Sequence, residues 1–277
     1  MVQFNYQAPW VTILNSCINN ELTATDHQPP FITCQLATID TNTGYPNNRT
    51  LVYRGWLFNN KSSNVLTFTT DKRSQKYNEL LKEDKVEVVF WFSHIRKQIR
   101  FKGKARILDS EHHPIIDIEH LKSDEGMNNT GGKEVEKEAK SEEVEKQRQP
   151  IQSSLFSPTY SSNNLVQDDL STADFIPPSS QEWDQELQRY WDEMSKSMKT
   201  SFKKPIPKSL MTEENQKLIS KIHRGVDGKK DNEGIKNFAV VGIFVNWVDY
   251  YEQDKDKRFI YELEKEGHQW TEYEVCP

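Results

Sequence analysis

Long apolar runs, paired cysteines and a surplus of positive charge are all missing from this chain, and each absence closes off a class of function. No stretch approaches the roughly 18 apolar residues of a membrane-crossing helix, and the opening Met1-Val2-Gln3-Phe4-Asn5 lacks the basic and apolar regions of a secretory signal. The expected address is the cytoplasm, with the nucleus open to it. Cys17, Cys34 and Cys276 are too widely spaced for a disulfide framework or a CxxC zinc pattern and read as reduced packing thiols. A formal net charge of -6 leaves no global basic field for nucleic acid or an anionic membrane surface, so any anion site must be local. His94, His112, His113 and His120 match no helix-face or hairpin ligand set, so no metal is expected. There is also no G-x-S-x-G elbow for a hydrolase.

Apolar residues are scarce as well. They make up 35% of the chain, below the roughly 45–50% of an ordinary globular domain. The deficit concentrates in residues 122–182, where an acidic and basic mixture (Lys133 to Lys146) gives way to a Ser, Asn and Pro-rich run ending Ile176-Pro177-Pro178-Ser179-Ser180. Such a segment cannot bury enough apolar surface to offset chain entropy of about 1–2 kcal/mol per residue. It reads as a disordered insertion. A second soft patch, Gly225 to Gly234, reads as a loop.

What remains is mostly β. Pro9, followed by Trp10, Ile13, Leu14, Cys17, Ile18 and Leu22 at helical spacing, predicts an amphipathic N-terminal helix. Five β-branched and aromatic runs follow at 31–40, 49–58, 65–70, 86–92 and 98–108, parted by turn signals such as Asn42-Thr43-Gly44. After the insertion come helical stretches at 183–199 and 213–223, then strands at 238–250, 258–263 and 270–275. So many strands with little helix between them predict an antiparallel barrel with flanking helices. Residues 1–121 would form its first part and 183–277 would complete it. Most of the seven tryptophans belong in such a core or in a subunit interface.

Three segments carry chemistry. From Thr69 to Lys76 a strand ends and a helix starts, with Thr70 or Asp71 as the natural N-cap. Free backbone N–H groups there, with Lys72, Arg73 and Lys76 close by, suit a phosphate, although a solvated basic helix start has the same composition. In Gln98-Ile99-Arg100-Phe101-Lys102, alternation puts Gln98, Arg100 and Lys102 on one face. A solvent-facing row would look alike; what the segment adds is an amide that both donates and accepts, as the edge of a flavin ring requires. Arg49 and Arg54 flank Thr50-Leu51-Val52-Tyr53 and, five residues apart, fall on opposite faces of an ideal strand. They are not expected to grip the same atoms.

The ordered series Arg49-Thr-Leu-Val-x-Arg54-Gly, Thr70-Asp-x-Arg-Ser-x-Lys76 and Gln98-x-Arg-x-x-Gly103 resembles the pyridoxamine 5'-phosphate oxidase family of FMN-binding split barrels. Within it, the series is most similar to the branch termed Alr4036-like. The resemblance covers about residues 8–108 and resumes more weakly at Arg189-x-Trp191, at Phe202-x-x-Pro205-x-Pro207 and from Phe238 onward. It implies that Arg49 and Lys76 hold the FMN phosphate with Thr70 and Arg73 or Ser74 beside it. The strand Thr50-Leu51-Val52 would run along the ring, with Gln98 and Arg100 facing it. It further implies a homodimer with FMN in the cleft between subunits, where Lys199, Tyr251 and Arg258 are candidate partner-chain contributions. A small-molecule substrate would lie beyond, with Arg54 on its side. Departures accompany these matches: Arg54 stands where the oxidase has a lysine, and the stretch Tyr250 to Arg258 has no Arg-x-His pair. FMN binding is therefore a firmer expectation than oxidation of a B6 vitamer; a flavin carrier, sensor or interaction module is the alternative. In either case the ring would bring the redox chemistry and the protein its position and electrostatics.

Overall fold

The computed structural model describes residues 7–24, 28–114, 151–152, 174–175, 177–225, 231–264 and 270–277. Most of the expected insertion lies outside the described residues, as do His120 and residues 226–230. Helix α1 (Pro9–Leu22) begins at the expected proline; the Ala8 N–H that precedes it is accepted by the Asn64 side chain at 2.8 Å. Strands β1 (Thr33–Ile39), β2 (Pro46–Val52) and β3 (Val65–Asp71) lead into helix α2 (Gln75–Lys82), then β4 (Lys85–Phe92) and β5 (Lys97–Leu108). A two-residue ladder joins Ile151–Gln152 to Asp174–Phe175. Helix α3 (Ser180–Glu193) opens with a capping box in which Ser179 and Glu182 satisfy each other's backbone N–H groups. Helices α4 (Lys196–Ser201) and α5 (Glu213–His223) precede β6 (Phe238–Glu252), β7 (Lys257–Leu263) and β8 (Trp270–Val275).

The eight strands form one antiparallel sheet in the order β8-β7-β6-β5-β4-β1-β2, with β3 pairing β6 off that path. Closure comes from the residues just after β2. Arg54 N–H donates to Thr67 O (2.9 Å) and Thr67 N–H to Gly55 O (3.0 Å), tying β2 to β3 and so completing a ring β1-β2-β3-β6-β5-β4. This accounts for a strand that ends six residues earlier than expected: the 49–58 run stops as β2 at Val52, turns at Gly55 (φ +89°) and enters a short 3-10 turn at Leu57–Asn59.

Strand β6 makes the barrel split. Its first half, Phe238–Phe244, pairs with β3, and its second half, Trp247–Glu252, pairs with β7, while β5 pairs with both halves, from Val240 to Glu252. A bulge lies between the halves, where Lys102 faces Trp247 but Gly103 faces Val245. A Cβ at Gly103 would stand 2.2 Å from Phe244 O, so the strands reach this register only with glycine there. Inside the ring, Trp10 from α1 contacts Trp56, Phe101 and Trp270 at centroid distances of 5.2–6.0 Å. Outside it, α3 packs Trp183, Tyr190 and Trp191 against Phe202, Phe238 and Val240 as a second cluster. The expected 183–199 helix is thus longer at its start and breaks at Met194 into α3 and α4.

Candidate functional site

Strand β2, the end of β3 and the start of α2 meet at one corner of the barrel. Arg49 donates to Glu79 Oε2 (2.9 Å) and Asn47 O (2.9 Å) and also to the Thr38 hydroxyl. Glu79 is buried, and its carboxylate also accepts from Thr38 and Asn47. Burial alone would raise its pKa, but these three donors hold it below the usual carboxylate value. Across from this pair, the Thr70 and Ser74 hydroxyls, both buried, lie 3.1 Å apart. Lys76 reaches Ser74 Oγ at 3.5 Å and forms no ion pair with a described carboxylate. Its pKa is pushed down by burial first, then by Arg49 and, more weakly, Lys208, and the Asp71 and Glu79 carboxylates offset only part of this. A partly desolvated ammonium with no ion pair of its own is suited to accept an anion.

The helix itself adds to this. The N-cap is Ser74, not Thr70 or Asp71, because β3 stays paired with β6 through Asp71 and Phe238, so the helix cannot begin sooner. Asp71 instead accepts the Arg73 N–H at 2.8 Å in a local turn. The Ser74 hydroxyl makes no capping bond, which leaves the N–H groups of the first turn of α2 without a side-chain partner.

Arg73 has a different task from the one expected of it. Its guanidinium is bidentate to Asp71 (2.9 and 2.7 Å) and donates to Lys204 O (3.0 Å) and Phe202 O (3.2 Å). It precedes the helix and does not share a face with Lys76. Arg73 clasps residues 202–208 across the start of α2.

The model of the pyridoxamine 5'-phosphate oxidase FMN-binding domain matches residues 7–109. An uncharacterized protein of Saccharomyces cerevisiae, YGR017W, is 30% identical over an alignment covering 98% of this chain and 98% of its own. The chain belongs to the pyridoxamine 5'-phosphate oxidase-like FMN-binding family. Pyridoxine/pyridoxamine 5'-phosphate oxidase 2 of Arabidopsis thaliana is 35% identical over 103 residues, 37% of this chain and about half (48%) of that protein. Among solved structures, a pyridoxamine 5'-phosphate oxidase-related FMN-binding protein of Nostoc punctiforme superposes with a TM-score of 0.61 at 20% identity, covering 99% of this chain and 100% of its own. PhzG of Burkholderia lata, in complex with tetrahydrophenazine-1-carboxylic acid, superposes with a TM-score of 0.56 at 13% identity, covering 100% and 99%. Both share the fold.

The family's cofactor fits the corner just described. FMN ends in a phosphate of about −1.5 to −2 charge at neutral pH, and here a Lys76 with no ion pair among the described residues, a largely buried Arg49, two hydroxyls and the start of α2 lie close together.

On the outer face of the barrel, register aligns other expected residues of the family site. Thr50 lies opposite Gln35, which lies opposite Val89, then Arg100, then Asp249. The neighbouring row on the same face runs Trp91, Gln98, Tyr251, Arg258. The Gln98 amide bonds to no other described residue, whereas Arg100 is held by Glu87 (2.7 Å) and Asp249 (3.4 Å), and Arg258 by Asp249 (2.8 Å). Arg54 and Arg49 share no partner. Arg54 reaches Met198 Sδ of α4 at 3.0 Å while its buried Nε has no acceptor, and burial pushes its pKa down. Lys199, also on α4, lies 5.7 Å from the Trp191 ring and donates to Asp192 O. Sequence reasoning passed over Glu79, Thr38 and Asn47, the polar group beneath Arg49. An acid three residues after Lys76, on the face of α2 that carries Tyr77 and Leu80 into the core, was the available signal. Among the described residues no group of His, Cys, Asp and Glu could hold a metal, and no helix is long and apolar enough to cross a membrane.

Proposed function

We propose that this protein is an FMN-dependent oxidoreductase acting on a small substrate, with Arg49 and Lys76 as the charged ligands of the cofactor phosphate and Thr70 and Ser74 beside them. The observation that carries this reading is Lys76: half-buried, near Arg49 and Lys208 at a helix start, and without an ion pair among the described residues. The strand Thr50-Leu51-Val52 would back the ring and Gln98 would meet its polar edge. Bound FMN supplies hydride and electron transfer; the chain positions it and excludes water. A two-fold homodimer built on the outer sheet face is part of the proposal, since Trp91 is 48% exposed there among half-buried polar residues. Arg54 would face the substrate.

A second reading, a flavin-binding carrier, sensor or interaction module without turnover, draws on Met198 covering Arg54 and on Asp249 engaging both Arg100 and Arg258. Purified protein is expected to be yellow and to release FMN on denaturation. The Arg49→Ala/Lys76→Ala double variant should lose retention, because two charged hydrogen bonds of about 1.5–3 kcal/mol each disappear. Normal FMN binding by the double variant would refute the site. Reduction of bound flavin by NAD(P)H or pyridoxamine phosphate, followed by reoxidation in air, separates the enzyme from the carrier.

A further inference from the structure

We propose that Lys208 is a third cationic ligand of the cofactor phosphate, delivered to the start of α2 by the strap that Arg73 fastens. The inference rests on the FMN reading above and extends its site beyond the segment that the family model matches, which ends at 109.

Lys208 is far from the site in sequence and next to it in space. Its ammonium donates to Gln75 Oε1, the side chain of the first residue of α2, across 133 positions of chain. It forms no ion pair with a described carboxylate. Together with Arg73, Gln75, Asn78 and Lys82 it lines a cleft of about 530 Å³ beside α2. Glu79, the partner of Arg49, lines the same cleft, so the strap and the proposed phosphate corner share a wall. Arg49 is paired with Glu79 and Arg73 with Asp71, and Asp40 in the cleft wall lies near Lys82, so Lys76 and Lys208 are the two cations here that hold no ion pair with a described carboxylate, a match for a phosphate.

The strap is built to hold this lysine in place. Phe202 anchors it in the α3 cluster, its carbonyl accepts from Asn237 (2.8 Å) and Arg73, and the Lys204 carbonyl accepts from Arg73 as well. At Lys208 itself the backbone is left-handed (φ +68°), a conformation that suits glycine and strains a residue that bears a side chain. Lysine is therefore present at the expense of backbone strain.

That strain supplies a clean variant. Lys208→Gly removes the charge while easing the backbone, so its apo form is expected to melt no lower than the parent. Titrated with FMN at low ionic strength and followed by flavin fluorescence, it should bind about tenfold more weakly. The gap should narrow at high salt because an exposed charge contact is screened, and Lys208→Arg should keep most of the affinity. Unchanged affinity in Lys208→Gly, or a loss equal at low and high salt, would overturn the proposal. If Lys208→Gly binds normally while the Arg49/Lys76 double variant does not, the strap inference fails and the site stands; normal binding by both overturns both.

Discussion

Replacing Lys76 by methionine should move two properties in opposite directions. Methionine keeps the length of the side chain and discards its charge. In the apo protein the Lys76 ammonium is partly desolvated and lies near Arg49 and Lys208; its contact to Ser74 Oγ is 3.5 Å, and the Asp71 and Glu79 charges offset only part of the cost, since its pKa stays below the ordinary lysine value. Removing such a charge from a functional site commonly stabilises by about 0.5–2 kcal/mol, which for a domain of this size is about 1–8 °C in Tm. With FMN bound the same ammonium is expected to make a charge-assisted hydrogen bond of about 1.5–3 kcal/mol, so affinity should fall about 10- to 150-fold. Differential scanning fluorimetry with and without FMN reads both effects: the variant's apo curve moves up, and the increment on adding cofactor shrinks as its Kd rises. The pH dependence supplies an independent check. Lys76 has a folded-state pKa below the ordinary lysine value, so the unfolded chain binds more protons over the window between the two. Apo stability from this group therefore rises as pH climbs through that window, while FMN affinity falls. Lys76→Met should flatten both trends. A variant that melts lower in the apo form and keeps its full FMN increment would show that Lys76 is structural and that the anion site is misplaced.

Other parts of the molecule yield further expectations. Arg73→Ala takes one of two donors from the Phe202 carbonyl and the guanidinium from the Lys204 carbonyl and Asp71; limited proteolysis should then cut within 203–211 while the parent resists, and FMN affinity should fall by no more than in Lys208→Gly. Trp10→Ala empties the centre of the barrel and should cost about 3–5 kcal/mol in a denaturant titration. Glu252 is held at about 2 although burial alone would raise it, because Tyr250, Lys97 and Lys255 donate to it. Its folded value lies below the unfolded one, so its contribution is full above the ordinary glutamate range and is lost as pH falls towards about 2; Glu252→Gln should reduce the acid sensitivity of Tm in that interval.

Much of the architecture was legible because β-branched and aromatic runs alternate with turn residues on a scale of a few positions. Glu213–His223 and Trp270–Val275 fall where the periodicity puts them, and β5 buries Ile99 and Phe101 while Gln98, Arg100 and Lys102 face out. Local signals failed where a distant partner decided the outcome. Asp71 has the chemistry of an N-cap, but pairing with Phe238 keeps it in a strand, and the cap passes to Ser74. Arg73 reads as a phosphate ligand from its neighbours Lys72 and Lys76, yet the carbonyls of Phe202 and Lys204 claim it. Lys208 carries no local mark at all, since nothing in Pro205-Ile206-Pro207-Lys208 announces that it ends beside Gln75. The one sequence feature whose reason became visible only in three dimensions is Gly103, which the close approach of Phe244 O requires.

Strand β6 has a consequence for how the polypeptide can be divided. It gives β3, β5 and β7 a hydrogen-bonding partner, so the stretch that carries Arg49 and Lys76 cannot close into a ring without a strand made more than a hundred residues later. Neither half is self-sufficient. Nicked anywhere between 115 and 150, the molecule becomes two complementing fragments, each exposing an unsatisfied sheet edge until it meets the other. Co-expressed as separate pieces, the halves should find one another and rebuild the cofactor corner, and either piece made alone should aggregate.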